Sequence, residues 1–421
     1  MFFGDKMKTE KNFKLTKYAC YSCYLGMSSI FCIPPMLFMT FKDMYNISYT
    51  LLGSLVLVNF FTQLTIDLIF TFFSKHFNIK YTLRIMPILT SIGLFIYSFS
   101  PHLFPNNVYI GLVIGTVIFS VSAGLSEVLL SPTIAAIPSK NPDKDMSFLH
   151  SLYAYGVLTF VIITTLFFNI FGSKYWMYLT MFCAVLPIIS FVLFSISPIP
   201  EFNTETETKR QSKKGKGFAL LLCVVCIFLG SSAENSMTNW ISSYLENALG
   251  IPKTFGDILG LALFAVLLGL GRTLYAKYGK NISNVLLFGM IGAFVCYTVA
   301  SVSTNPIVSM IACVLTGMCT SMLWPATLIF MEENISGVSI AAYALMASGG
   351  DLGASVAPQM IGIIVDKVAV TDFAKNLGAT LSLSAEQIGM KTGMLIAAIF
   401  PLIGIFLVLF MKHYFKKKNK Q

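Results

Sequence analysis

Long apolar runs separated by short polar stretches organise this chain. They lie at about 18–41, 50–73, 82–100, 108–137, 147–171 and 175–197, then at 218–245, 256–278, 284–302, 306–331, 336–365 and 390–411. Each approaches or exceeds the ~20 residues a helix needs to cross hydrocarbon. The pattern predicts an all-α membrane protein of about twelve transmembrane helices. The run at 108–137 is longer than a bilayer requires and predicts tilt or protrusion. The runs form two sets of six, split by the most polar stretch of the chain, EFNTETETKRQSKKGKG at 201–217. Its composition predicts a disordered linker. An N-terminal bundle over 1–197, a linker over 198–217 and a C-terminal bundle over 218–421 are therefore expected.

Composition supports a lipid solvent. Of 421 residues, 56% are hydrophobic and 11% charged, against about 25% charged in soluble domains. So few charges could not cover a soluble surface of this size. The 37 Phe and 21 Met suit a lipid-facing, adaptable bundle. The first apolar stretch begins near Tyr18 and has no small-residue cleavage site with a mature domain behind it, so it reads as the first membrane helix. Nine cysteines lie almost entirely within apolar stretches. Cys20 with Cys23, and Cys223 with Cys226, have CxxC spacing but no flanking His or acid, and read as buried thiols.

The net charge of +10 is topological rather than a nucleic-acid footprint. Basic residues cluster at Lys6 to Lys17, at Lys209 to Lys216 and at Lys412 to Lys420. The positive-inside rule then places both termini and the linker in the cytoplasm. The Lys213–Gly217 run lacks Walker spacing, and no HExxH, GxSxG or metal cluster is present. A transporter is expected rather than an enzyme, without cofactor or metal, working as a monomer in the cell membrane.

The two halves repeat. Gly124-Leu-Ser-Glu127-Val-Leu-Leu-Ser131-Pro132 in the fourth run and Gly317-Met-Cys-Thr320-Ser-Met-Leu-Trp324-Pro325 in the tenth both keep a Gly eight residues before a Pro. The same offset of 193 residues sets His150 opposite Tyr343 and Gly156 opposite Gly349. A repeat of this kind predicts a binding site between the halves near mid-membrane, exposed alternately to each side.

Six plus six helices, a basic central loop and a parallel repeat together resemble the major facilitator superfamily. More narrowly, Gly124-x-x-Glu127-x-x-x-Ser131-Pro132 is similar to the fourth-helix pattern of the fucose:proton symporter branch, with Ser131 where that branch has Asn. Met146-Ser-Phe-Leu-His150-Ser-Leu-Tyr-Ala-Tyr-Gly156 resembles the branch's next helix. The resemblance implies a two-bundle fold and proton-coupled sugar transport. The sequence departs from it twice. Ile30-Phe31-Cys32-Ile33-Pro34-Pro35 carries no acid where the branch has an Asp, and Ser74–Lys80 keeps only the basic character of the superfamily's loop between helices two and three.

Ionisable groups at a helix centre cost about 2.5–3.5 kcal/mol or more, so each needs a reason. Glu127 sits deep in the fourth run beside Gly124 and Ser131, where an apolar setting favours a carboxyl that gains and loses a proton near neutral pH. Asn59, Gln63 and Asp67 recur every four residues and share one helix face. Asp67 reads as a second coupling acid or as an interhelical lock. His150 titrates near physiological pH and is a third coupling candidate. Arg272 reads either as a cytoplasmic gate with Asp67 or His150, or as a side chain snorkelling to headgroups.

Candidate solute contacts are Asn59, Gln63, Asn235 and Asn239, whose amides suit hydroxyls, together with Trp240, Trp324 and Tyr343 as aromatic plates and Gln359. Trp240 reads equally as an anchor at the membrane interface. In the eleventh run, small residues and Pro358 predict close packing and bending, with Asp351 buried among them at a gate. The function expected is secondary active transport of a small polar solute, a sugar first, by proton symport. Export of amphipathic compounds on the same fold is the alternative.

Overall fold

The computed structural model describes residues 13–73, 76–139, 142–200, 216–278, 281–335 and 340–418. They are almost wholly helical. The first half holds α1 (Lys14–Met36), α2 (Phe38–Tyr45), α3 (Tyr49–Phe73), α4 (Ile79–Leu103), α5 (Val108–Ala135), α6 (Pro142–Phe171), α7 (Trp176–Cys183) and α8 (Val185–Ile196). The second holds α9 (Lys216–Ser243), α10 (Lys253–Phe255), α11 (Leu263–Tyr278), α12 (Ile282–Val302), α13 (Pro306–Thr320), α14 (Leu323–Asn334), α15 (Ile340–Ala369), α16 (Asp372–Leu381), α17 (Ala385–Ala397) and α18 (Ile399–Lys418). Two π-helical segments, Tyr244–Ala248 and Gly256–Ala262, join α9 to α11.

By length and composition, the described residues contain 10 helices able to cross a membrane, or 11 if α1 and α2, bent by 48°, form one span. The run at 147–171 becomes α6, a helix of 30 residues of which the described stretch Tyr155–Phe171 is apolar. Other runs appear as helices broken near proline. Pro34 and Pro35 lie just before the α1–α2 bend, because a proline ring removes a donor and crowds the carbonyl four residues back.

The glycines of the repeat occupy matching contacts. A methyl group at Gly124 on α5 would stand 3.0 Å from Ile66 of α3, and one at Gly317 on α13 would overlap Phe264 of α11. Likewise, Gly156 of α6 lies against Ser28 of α1, and Gly349 of α15 against Val224 of α9. The side chains are absent where helix backbones approach most closely.

The halves meet mainly where α3 runs along α15 and where α6 meets the π-helical segment Gly256–Ala262. Residues near both termini pack at one face: Thr16 donates to the Pro198 carbonyl at 2.6 Å, and Phe218 stacks edge-on with Tyr414. The opposite face, holding the ends of α2, α9 and α15 and the start of α17, is called distal below.

Candidate functional site

The polar stripe on α3 is the scaffold of the site. Gln63 Nε2 donates to Asn59 Oδ1 at 3.0 Å, and Ser120 Oγ donates to the same oxygen at 2.6 Å. Gln63 is 1% exposed, and its backbone packs against Gly124 of α5. Asn59 borders a cavity of ≈ 10 Å³, shared with Phe31, Thr116, Phe119 and, from the other half, Asn239. That is room for about one water. Asn239 donates to the Asn235 carbonyl at 2.9 Å, and half-buried Asn235 donates to Ser231 at 3.1 and 3.2 Å.

Two turns beyond Asn59 along α3, the carboxyl of Asp67 stands within 4.8 Å of that of Asp351 on α15. Like charges this close favour a protonated member over two carboxylates. Carboxyl oxygens of Asp67, Asp351 and Glu127 all lie within 4.8 Å of one another. Asp67 and Asp351 are buried, whereas Glu127 is exposed. Glu127 thus turns toward the junction of the halves. Three carboxyls at this spacing are also the donor type of a hard-cation site.

Arg272 is positioned by a helix break. Pro325 cannot donate to the Ser321 carbonyl four residues back, and Arg272 Nε takes that acceptor at 3.0 Å. Its Nη2 reaches Glu234 Oε1 at 3.4 Å. Arg272 therefore pairs with Glu234 and the Ser321 carbonyl, both in the second half, whereas the sequence suggested Asp67, His150 or lipid headgroups. Tyr24 lies within electrostatic reach of Glu127 and Arg272, and Tyr153 within reach of Glu234 and Arg272. These tyrosines and Glu234 were not among the candidates. Their partners are distant in sequence, and no local motif marks them.

Trp240 corrects two readings. It is 1% exposed, its Nε1 donates to the Pro358 carbonyl at 2.9 Å, and its ring meets Phe38 at 5.3 Å and Tyr49 at 5.9 Å. It is a packed element of the distal closure, neither an interfacial anchor nor an open plate. Trp324 is half-buried, with its indole laid on the backbone of Gly350. Gln359 is half-buried against Gly53, with Oε1 lacking a hydrogen-bond partner. His150 and Tyr343 lie on α6 and α15, and their side chains fall outside the described residues.

At the distal level a network spans the halves. Glu386 accepts from Lys42 at 3.0 Å, from Asn247 at 2.5 Å and from the Tyr49 hydroxyl. Asn247 also donates to the Tyr49 oxygen at 2.7 Å. All nine cysteines are free thiols.

Comparison with known proteins places this architecture. The family described as Major Facilitator Superfamily matches residues 19–358. No curated protein sequence matches the chain. Among solved structures, a bacterial homologue of the human lysosomal transporter Spinster, inward-facing and occupied, is similar at 13% identity and TM-score 0.72, covering 96% of this chain and 97% of that one. A D-xylose–proton symporter is similar at 16% identity and TM-score 0.71, covering 92% and 96%. The E. coli fucose:proton symporter is similar at 13% identity and TM-score 0.58, covering 95% and 99%.

Proposed function

Because this chain belongs to the Major Facilitator Superfamily and is a multi-pass membrane transporter, not an enzyme, we propose that it carries a small polar solute by proton-coupled symport. The observation that carries this reading is the meeting of three carboxyls at the junction, Asp67 and Glu127 from one half and Asp351 from the other, with oxygens within 4.8 Å of one another. A proton held there links the protonation state to how the halves sit together.

The cycle follows from that placement. Glu127, exposed at the junction, exchanges protons with the open side. Solute binding between Asn59 and Asn239 favours the protonated site, the halves rock about the α3–α15 contact, and proton and solute leave on the far face. Sugars are the first class to test: paired amides suit hydroxyl groups, and two similar structures are titled as sugar–proton symporters. In this reading, 1–197 and 218–421 are the rocking bundles, the termini are cytoplasmic, the cell membrane is the site of action, and a monomer suffices.

A second reading is export of amphipathic compounds. It is favoured by the aromatic group Phe31, Phe60 and Tyr153, with ring centroids 5.6 and 5.8 Å apart. Purified protein in liposomes separates the two. With an inward proton gradient, labelled sugar accumulates in the first case. In the second, sugar is ignored and an amphipathic dye is driven against the proton flux.

A further inference from the structure

The distal face is closed by more than the Glu386 network. A helix leaves its first N–H groups and last carbonyls without internal partners, and both kinds of end occur at this face. At the start of α3, the Ser48 hydroxyl accepts from the Leu51 N–H at 3.3 Å within the same half. The two preceding N–H groups go elsewhere. Asp366 of α15 accepts from Tyr49 N–H at 3.1 Å and from Thr50 N–H at 2.6 Å. An N-terminus of the first half is thus capped by a carboxylate of the second.

The mirror arrangement stands at the end of α1. Met36 is its last residue, at the bend into α2. Lys253 Nζ donates to the Met36 carbonyl at 2.7 Å. Glu246 and Asp257 hold that ammonium from its own half at 3.7 and 3.5 Å. Its side chain is 18% exposed, which limits screening by solvent.

We infer that Asp366 and Lys253 are positioning residues of the transport cycle, a pair of oppositely charged caps that latch the distal face shut by closing helix ends of the other half. The signs are those a helix demands: an anion at the N-terminus and a cation at the C-terminus. The backbone is shaped for the purpose. Gly362 lies one turn before Asp366 on the same face of α15, and a methyl group there would overlap the Tyr49 carbonyl oxygen. Without that glycine, α15 could not come close enough for Asp366 to reach both amides. Opening the distal face must strip both caps at once, so the latch biases the resting chain toward the distally closed state. Nothing in this depends on which solute or ion is carried.

Spin labels at Asn106 and Thr304, two exposed positions on distal loops of opposite halves, read the latch directly. Distances between them are compared in purified parent, Asp366→Asn and Lys253→Met, each with its charge-keeping counterpart, Asp366→Glu or Lys253→Arg. Neutral variants are expected to raise the open-to-closed ratio by roughly twofold to tenfold each, while the charge-keeping variants stay near the parent. Unchanged distances in both neutral variants overturn the proposal. So does equal opening in the charge-keeping pair, which would make shape rather than charge the agent. If a neutral variant does not survive purification, Val56→Cys is labelled with an impermeant maleimide in membrane vesicles of both orientations. Val56 is 5% exposed in the closed structure. Faster labelling from the distal side is expected, and labelling at the parent rate overturns the latch. Since no solute or proton gradient is used, failure here leaves the transport reading standing, and a failed uptake assay leaves the latch standing.

Discussion

Asp67 and Asp351 face each other from opposite halves of the chain, with carboxyl oxygens within 4.8 Å. Carboxyls this close favour a protonated member, and they lie on α3 and α15, the helix pair along which the halves meet. Loss of the proton would set two negative charges against each other at the junction. Protonation and the fit between the halves are therefore one equilibrium.

Asp67→Asn and Asp351→Asn each keep the shape and can still bridge, but they carry no exchangeable proton. Uptake driven by a proton gradient should fall by at least ~10-fold, a loss of about 1.4 kcal/mol of coupling. Binding of solute to purified protein, followed by thermal shift, should change far less. An equal loss in binding and in uptake would assign these acids to the solute instead.

The Arg272–Glu234 pair predicts a rescue. Removing one partner leaves the other in a poorly hydrated place, although Arg272 is 43% exposed, which softens the loss. Arg272→Ala should reduce uptake, and Arg272→Ala combined with Glu234→Gln should recover part of it. If the double variant is as poor as the product of the singles, the pair is not a unit.

Gly350 and Trp324 predict an overpacking effect. A methyl group at Gly350 would overlap the indole, and forcing extra volume into a packed site costs about 1–3 kcal/mol. Gly350→Ala should lower the thermal unfolding midpoint, and adding Trp324→Leu should restore it. An unchanged midpoint in Gly350→Ala would show the ring moves freely.

The coupling ion is open to a direct check as well. Three carboxyls within 4.8 Å could in chemistry hold sodium. Uptake at fixed pH gradient should be indifferent to replacing sodium with choline. A sodium requirement would move the trio from proton carrier to cation site.

Much of the architecture was legible because lipid imposes long apolar runs and because a repeat leaves glycines at one offset. Gly124, Gly317, Gly156 and Gly349 marked the repeat, and the structure sets each of them against a neighbouring helix. Glu127 and Asp67 stood out because an acid in an apolar run is costly. What escaped is long-range. Glu234 meets Arg272 across 38 residues of sequence, and Asp366 and Glu386 reach Tyr49 from more than 300 residues away. Trp240 misled because an aromatic near a helix end fits an interfacial belt as well as a packed closure. Of the twelve expected spans, 10 or 11 are met among the described residues, and part of α6 lies outside them.

Counterflow and gradient-driven uptake by Glu127→Gln, measured side by side in the same liposomes, probe the central idea most directly. Exchange of labelled for unlabelled solute needs rocking without net proton movement and should persist near the parent rate. Accumulation driven by the proton gradient should vanish. Accumulation at the parent level in this variant would contradict the account, because the acid exposed at the junction would then have no part in carrying the proton.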